Sequence, residues 1–369
     1  MFLFTFGIAE ISYNIINNSY KKKFKKQEVS YLKNKNLKLT RTITSMLPKN
    51  KIEIINFNTD SIGSIYPSSL SNNKELKDYI LFCGGSTTEA SQVKEGLRPP
   101  DIAANISGFK AINIAKAGQD LELCIKKIDT FLELIKTNYN FKKNTLPKKI
   151  FISTSINSLM EFGRTKSKVG FKLKTKLISF KTLGILFKSI NNKFREIHFS
   201  SKLSNYEQAL LDGCCFGLAE INSKKTGSKF LNWNSKKIEN EYSKYLKSRF
   251  SQLDNLAKNY SYKNKDIILV IEPDSFSIPY NKIYRNYWKG KDARQLMYKF
   301  NGSKMSHIES KNVLTKFNNI YSNGGKFFGF KVIEPRENNF PDYSYYDAVH
   351  YTDFGSKYMG EVYAKELEN

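Results

Sequence analysis

Five short apolar runs constrain the fold of this chain more than any other feature. They are Tyr79 to Cys83, Lys110 to Ile114, Ile150 to Ser155, Asp266 to Glu272 (stopped by Pro273) and Phe330 to Glu334. Such runs suit strands buried on both faces of a parallel sheet. Between them the pattern turns helical. Leu121, Cys124, Ile125, Ile128, Leu132 and Ile135 recur at helical spacing between Asp120 and Lys136. Further helices are expected over 239–259, 312–321 and 354–367. Strand alternating with helix implies right-handed crossovers, hence an α/β fold with helices on both faces of a mostly parallel sheet.

The alternation begins at about residue 76, which sets the expected division of the chain. Residues 1–75 read as an apolar N-terminal segment followed by a basic, irregular region, and 76–369 as the folded domain. A loosely patterned, Lys-rich and aromatic stretch at 161–238 reads as an insertion or cap. MFLFTFGIAEISYNII is interrupted by Glu10 and is shorter than the roughly 20 residues that span a bilayer. It reads as an amphipathic or buried helix, or as the tail end of a membrane anchor. The basic run Lys21 to Lys26 suits an anionic membrane surface or a solvated linker.

Charge narrows the partners without naming a reaction. Sixty Lys and Arg against 34 Asp and Glu give a net charge of +26, which attracts phosphates, anionic head groups or acidic glycans. With no zinc-finger spacing and no RNP-type aromatic motif, nucleic acid is set aside as a specific partner. His198, His307 and His350 are scattered, and neither HExxH nor a Cys/His cluster occurs, so no metal is expected. The four cysteines, at 83, 124, 214 and 215, show no disulfide framework. Cys83 and Cys124 read as small core residues.

The first strand runs into YILFCGGSTTEASQ, where the smallest and most hydroxylated residues follow at once. In a parallel sheet, ligands collect beyond the carboxyl ends of the strands, so Ser86 stands where chemistry is usually done. A P-loop would need GxxxxGK[ST], a dinucleotide fingerprint GxGxxG, and the α/β-hydrolase elbow GxSxG; none of these fits. A nucleophilic serine also needs a base and a group to hold it. Asp347 and His350 offer that pair in YYDAVHYTDFG, before a helix that Thr352 or Asp353 can cap. Neither His198 nor His307 has a carboxylate at that spacing.

These segments, in this order, resemble the SGNH (GDSL-type) hydrolase family. CGGSTTEA matches its first block, NIAKAGQD its second, STSINSLM its third and DAVHYTDFG its fifth. The third block departs at two positions, with Ser155 in place of Gly and Ser158 in place of Asp. The resemblance implies a three-layer, flavodoxin-like α/β/α sandwich around a five-stranded sheet. It implies a Ser86–His350–Asp347 triad, and oxyanion donors from the Ser86 and Gly118 amides and the Asn157 side chain. It requires no cofactor or metal. The activity implied is hydrolysis of a carboxylic ester, with O-acetyl groups of envelope or surface glycans as one substrate class. The apolar-Glu pattern at the N-terminus is similar to that of anchored relatives, which favours a membrane-associated or envelope location over a cytoplasmic one. Other classes stay open: an inactive SGNH-like binding module, a basic adaptor for anionic membrane or nucleic acid, or an acyltransferase using the same site.

Overall fold

Runs without polar alternation need cover on both faces, and each becomes a strand of one central sheet. The structure, a computed structural model, describes residues 36–41, 53–60, 62–65, 78–137, 146–167, 233–273, 307–335, 339–342, 344–345 and 350–368. Strands β1 (Asn36–Arg41) and β2 (Glu53–Asn58) form an antiparallel pair. There follow β3 (Tyr79–Gly84), α1 (Ser86–Glu89), α2 (Pro99–Ser107), β4 (Lys110–Asn113), α3 (Leu121–Thr137), β5 (Lys149–Ser153) and α4 (Ser155–Ser167). The remainder comprises α5 (Lys236–Asn259), β6 (Ile267–Val270), α6 (His307–Phe327), β7 (Lys331–Ile333) and α7 (Asp353–Lys365).

The main sheet is ordered β4-β3-β5-β6-β7, with every neighbouring pair parallel. The expected α/β architecture with a mostly parallel five-stranded sheet is thus the one observed. The chain goes from β3 to β4 on one side, then crosses back to lay β5 on the other. The loops leaving β3 and β5 therefore diverge, which opens a crevice at their carboxyl ends. Side-chain alternation divides the core. Tyr79, Leu81, Cys83, Ile150, Ile152, Ile267 and Leu269 share a cluster with the buried stripes of α3, α5 and α6. Ile80, Phe82, Phe151, Ile268 and Val270 pack with Ala103 of α2 and with Met359 and Tyr363 of α7.

Several features differ from expectation. The stretch read as irregular contains β1 and β2, and Ile55 and Phe57 of β2 are buried while Asn56 between them is exposed. The fully buried Arg98 anchors this pair, its guanidinium 5.3 Å from the Phe57 ring centroid and donating to the Asn56 carbonyl at 3.2 Å. Ile65 donates its N–H to the Asn113 carbonyl at 2.8 Å, so this segment covers the free edge of β4. Cys83 and Cys124, expected as separate core residues, are joined as a disulfide between β3 and α3. The strand turns Cys83 toward α3, and Cys124 lies on the buried stripe of that helix, with the Cα atoms 5.8 Å apart, a bridgeable distance.

The N-terminal apolar segment, the Lys21 to Lys26 run and residues 168–232 of the expected insertion lie outside the described residues. Among the described residues, no helix is long and apolar enough to cross a membrane.

Candidate active site

The strand order decides which residues meet. β3 ends at Gly84, the chain turns at Gly85, and Ser86 opens α1. Gly85 donates its N–H to the Ser153 carbonyl at the end of β5, at 3.1 Å. Asn157 follows on α4, in the turn just beyond β5. A Cβ on Gly85 would lie 1.8 Å from Asn157 Nδ2, so the side-chain amide rests directly against the Gly85 backbone, one residue from Ser86. Gly85→Ala must therefore displace that amide. Under the oxyanion role that the SGNH resemblance implies for Asn157, the expected result is a loss of about 100-fold in kcat for ester hydrolysis, the usual cost of one oxyanion donor. Adding Asn157→Ala to Gly85→Ala should cost little more; full additivity in kcat would separate the two residues.

His350 arrives from the other end of the chain. Tyr345 pairs with Tyr351, and Thr352 donates its N–H to the Ser344 carbonyl at 2.9 Å. Thr352 also caps α7, its hydroxyl accepting from the Gly355 N–H at 3.5 Å. Thus held, the residue before Tyr351 reaches the crevice. His350 Nε2 stands 2.7 Å from Ser86 Oγ, across 264 residues of sequence, and both side chains are half-buried. A hydroxyl in contact with an imidazole nitrogen is the geometry from which a proton can be taken.

The loop after β4 forms the adjoining wall. Lys116 donates its N–H to the Gly84 carbonyl at 3.0 Å, and Gln119 closes a turn onto the Lys116 carbonyl at 3.1 Å. Within that turn Gly118 is exposed and adopts φ +75°, a left-handed conformation that glycine takes without strain. Asn113 joins this loop to α1, donating from Nδ2 to the Thr88 carbonyl and accepting at Oδ1 from the Ala115 N–H, both at 3.0 Å. Ser158 stands where the family pattern has Asp. Its hydroxyl accepts from the Leu121 N–H at 3.2 Å, so it ties the start of α3 to α4. The structure thus brings Ser86, His350 and Asn157 together and sets Gly118 on the neighbouring loop. Asp347 lies outside the described residues. Among the described residues no group of side chains suits a metal ion.

Two carboxylates that sequence reasoning did not single out lie within electrostatic reach of His350. Glu89, on α1 three residues after Ser86, is buried, and burial pushes it up to about 7 against the Ala117 N–H, His350, Lys116 and Lys127. Glu272 is likewise pushed up to about 7, mainly by burial. Its signal was a carboxylate closing the most apolar run of the chain, directly before Pro273. Asp101, beside Arg98, is also raised to about 7, again mainly by burial.

These three groups carry a stability consequence with a definite sign. Each holds its proton to a higher pH when folded than when unfolded, so their contribution is complete below the ordinary carboxylate range and is lost as pH rises toward 7. Lys127, lowered to about 8 mainly by burial, acts only above that pH. The melting temperature is expected to be higher at pH 5 than at pH 8, by roughly 5 °C. A flat or rising profile across that window in scanning calorimetry would show the carboxylates ionised throughout.

Comparison with known proteins places the chain far from characterised relatives. No protein-family model matches it. No curated protein matches it either. Among solved structures it is similar to a Bacteroides ovatus protein that carries the name GDSL-like lipase, at 10% identity and a TM-score of 0.37, over 92% of this chain and 77% of that one. At that level the likeness adds nothing to the fold already described.

Proposed function

We propose that the protein is a serine esterase of the SGNH type, with Ser86 as nucleophile and His350 as general base. The observation that carries this reading is the 2.7 Å contact between Ser86 Oγ and His350 Nε2 at the point where the strand order reverses. His350 takes the hydroxyl proton as Ser86 Oγ bonds to the ester carbonyl carbon. The carbonyl oxygen becomes an oxyanion facing the Ser86 and Gly118 amides and the Asn157 side chain. The ester C–O bond then breaks, the alcohol leaves with the proton from His350, and an acyl group remains on Ser86. Water, deprotonated by the same imidazole, releases the acid and restores the serine. Asp347 is assigned by its spacing to hold the second ring nitrogen.

The substrate class we assign is O-acetyl groups on surface or envelope glycans, at a membrane-associated location. Its support is the strongly basic chain, which favours acidic glycans, and the basic run after the apolar N-terminus. The test is hydrolysis of p-nitrophenyl acetate, then acetate release from O-acetylated acidic polysaccharide, by wild type and Ser86→Ala in parallel. Serine-dependent turnover of the small ester supports the chemistry, and turnover of the polysaccharide supports the substrate class. Equal rates in both proteins, or none in either, would sink the reading.

A further inference from the structure

Glu272 lies two residues past the end of β6, and only 1% of it is exposed. A carboxyl group in such a place has to be met by donors or be driven neutral. The Thr87 hydroxyl donates to its carboxylate, and Ser153 and Ile156 of the neighbouring turn are near enough to favour its ionised form. Its own N–H donates to Ser155 Oγ at 3.1 Å. Through its carboxylate on Thr87 and its N–H on Ser155, this one residue ties together the carboxyl ends of β3, β5 and β6, which are consecutive in the sheet.

The identity of those neighbours connects Glu272 to the site. Thr87 follows Ser86, and Ile156 precedes Asn157. His350 is within electrostatic reach of the carboxylate, as it is of Glu89. The other titratable groups in its field are Tyr321 of α6 and Tyr363 of α7, both fully buried phenols whose pKa burial raises, so they stay uncharged at neutral pH. Burial opposes ionisation of Glu272, while the Thr87 hydroxyl, the Ser153–Ile156 turn and His350 favour it.

We propose that Glu272 is a positioning residue of this site: it fixes the Ser86 turn against the Asn157 turn and, when ionised, favours the charged imidazolium of His350. Its effect on rate rests on the serine-esterase reading, whereas its effect on His350 requires no turnover. As His350 takes the Ser86 proton, positive charge appears on the ring, and a fixed carboxylate in a poorly polarisable surrounding stabilises it without reorganising.

Glu272→Gln keeps the size and removes the charge, and the Thr87 hydroxyl can rotate to accept from the new amide. In this variant kcat is expected to fall by about 10- to 100-fold, the scale of a small misplacement in a site, with KM little changed. The titration midpoint of His350, followed by NMR in 13C-histidine-labelled protein and assigned with His350→Gln, moves to lower pH. The loss of a neighbouring negative charge makes an imidazolium easier to deprotonate. Glu272→Asp keeps the charge on a shorter arm, so the midpoint returns toward wild type while kcat stays reduced.

An unmoved midpoint in folded Glu272→Gln overturns the proposal. So does loss of the near-UV circular dichroism of both variants at the assay temperature, which assigns Glu272 to the core alone. Failure of the esterase reading shows separately, as turnover that does not depend on Ser86, and the His350 titration still decides the role of Glu272.

Discussion

For the proposed esterase, Ser86→Ala is expected to lower kcat on the order of 10⁶-fold, the scale measured when a triad serine is removed. The size follows from the chemistry. Without Oγ there is no acyl-enzyme, and His350 can only activate water from a position set for a serine. What remains is rate from the oxyanion donors and from substrate binding, about 10³- to 10⁴-fold over water. Ser86 is half-buried at the mouth of a crevice, so the melting temperature should stay close to that of wild type. A fluorophosphonate probe should label wild type and leave Ser86→Ala unmarked. Labelling of another serine, with turnover intact in the variant, would move the nucleophile elsewhere.

The largest stability effect is expected at Gly355, for a reason that also concerns the site. α7 begins so close to the Ser344–Tyr345 segment that a Cβ on Gly355 would lie 2.2 Å from the Ser344 carbonyl oxygen and 3.0 Å from its carbon. Backbone cannot swing aside as the end of a side chain can. That same carbonyl accepts the Thr352 N–H, so the contact that holds the residues after His350 has to move. Gly355→Ala is expected to cost about 3 kcal/mol in urea unfolding, at the upper end for overpacking. It should also lower kcat/KM by about 100-fold, since a shift of about 1 Å at His350 is enough for that. Unchanged stability would show that α7 can slide along Ser344. Unchanged kcat with lowered stability would show that His350 is held independently of α7.

Much of this molecule was legible before folding was considered. The apolar runs at 79–83, 110–114 and 150–155 fall within a residue or two of β3, β4 and β5, because a strand buried on both faces leaves a contiguous apolar signature. The stripe from Leu121 to Ile135 became α3 with only Phe131 added to its buried set. Thr352 as the cap of α7 followed from the residue type and its place before an apolar periodicity. Ser86 was picked out by its position beyond a strand end and His350 by its spacing from Asp347 before a helix, and the two touch.

What was not legible depends on contacts between distant segments. α6 was expected to stop at Tyr321, yet it continues to Phe327 through Gly324 and Gly325. The two glycines weaken an isolated helix, but here they let it lie close to its neighbours: a Cβ on Gly325 would meet Leu269 at 2.5 Å, and one on Gly324 would meet Phe250 at 2.8 Å. α2, for which no helix was expected, starts on Pro99 and Pro100, and these prolines serve as an ordinary first turn. β1 and β2 are short, and Arg98 on Phe57 of β2 ties the pair to the domain.

By itself, then, the amino-acid sequence determined the elements whose signals are local: strands buried on both faces, one-sided helices, a cap, and the residue types that a serine site needs. Tertiary structure alone decided which strand ends stand side by side. It placed Asn157 on Gly85, joined Cys83 to Cys124, and put the Glu272 carboxylate beneath Thr87. The physical reason is that the sheet order β4-β3-β5-β6-β7 is set by the summed burial of several helices on both faces, a quantity that no single stretch of the chain contains.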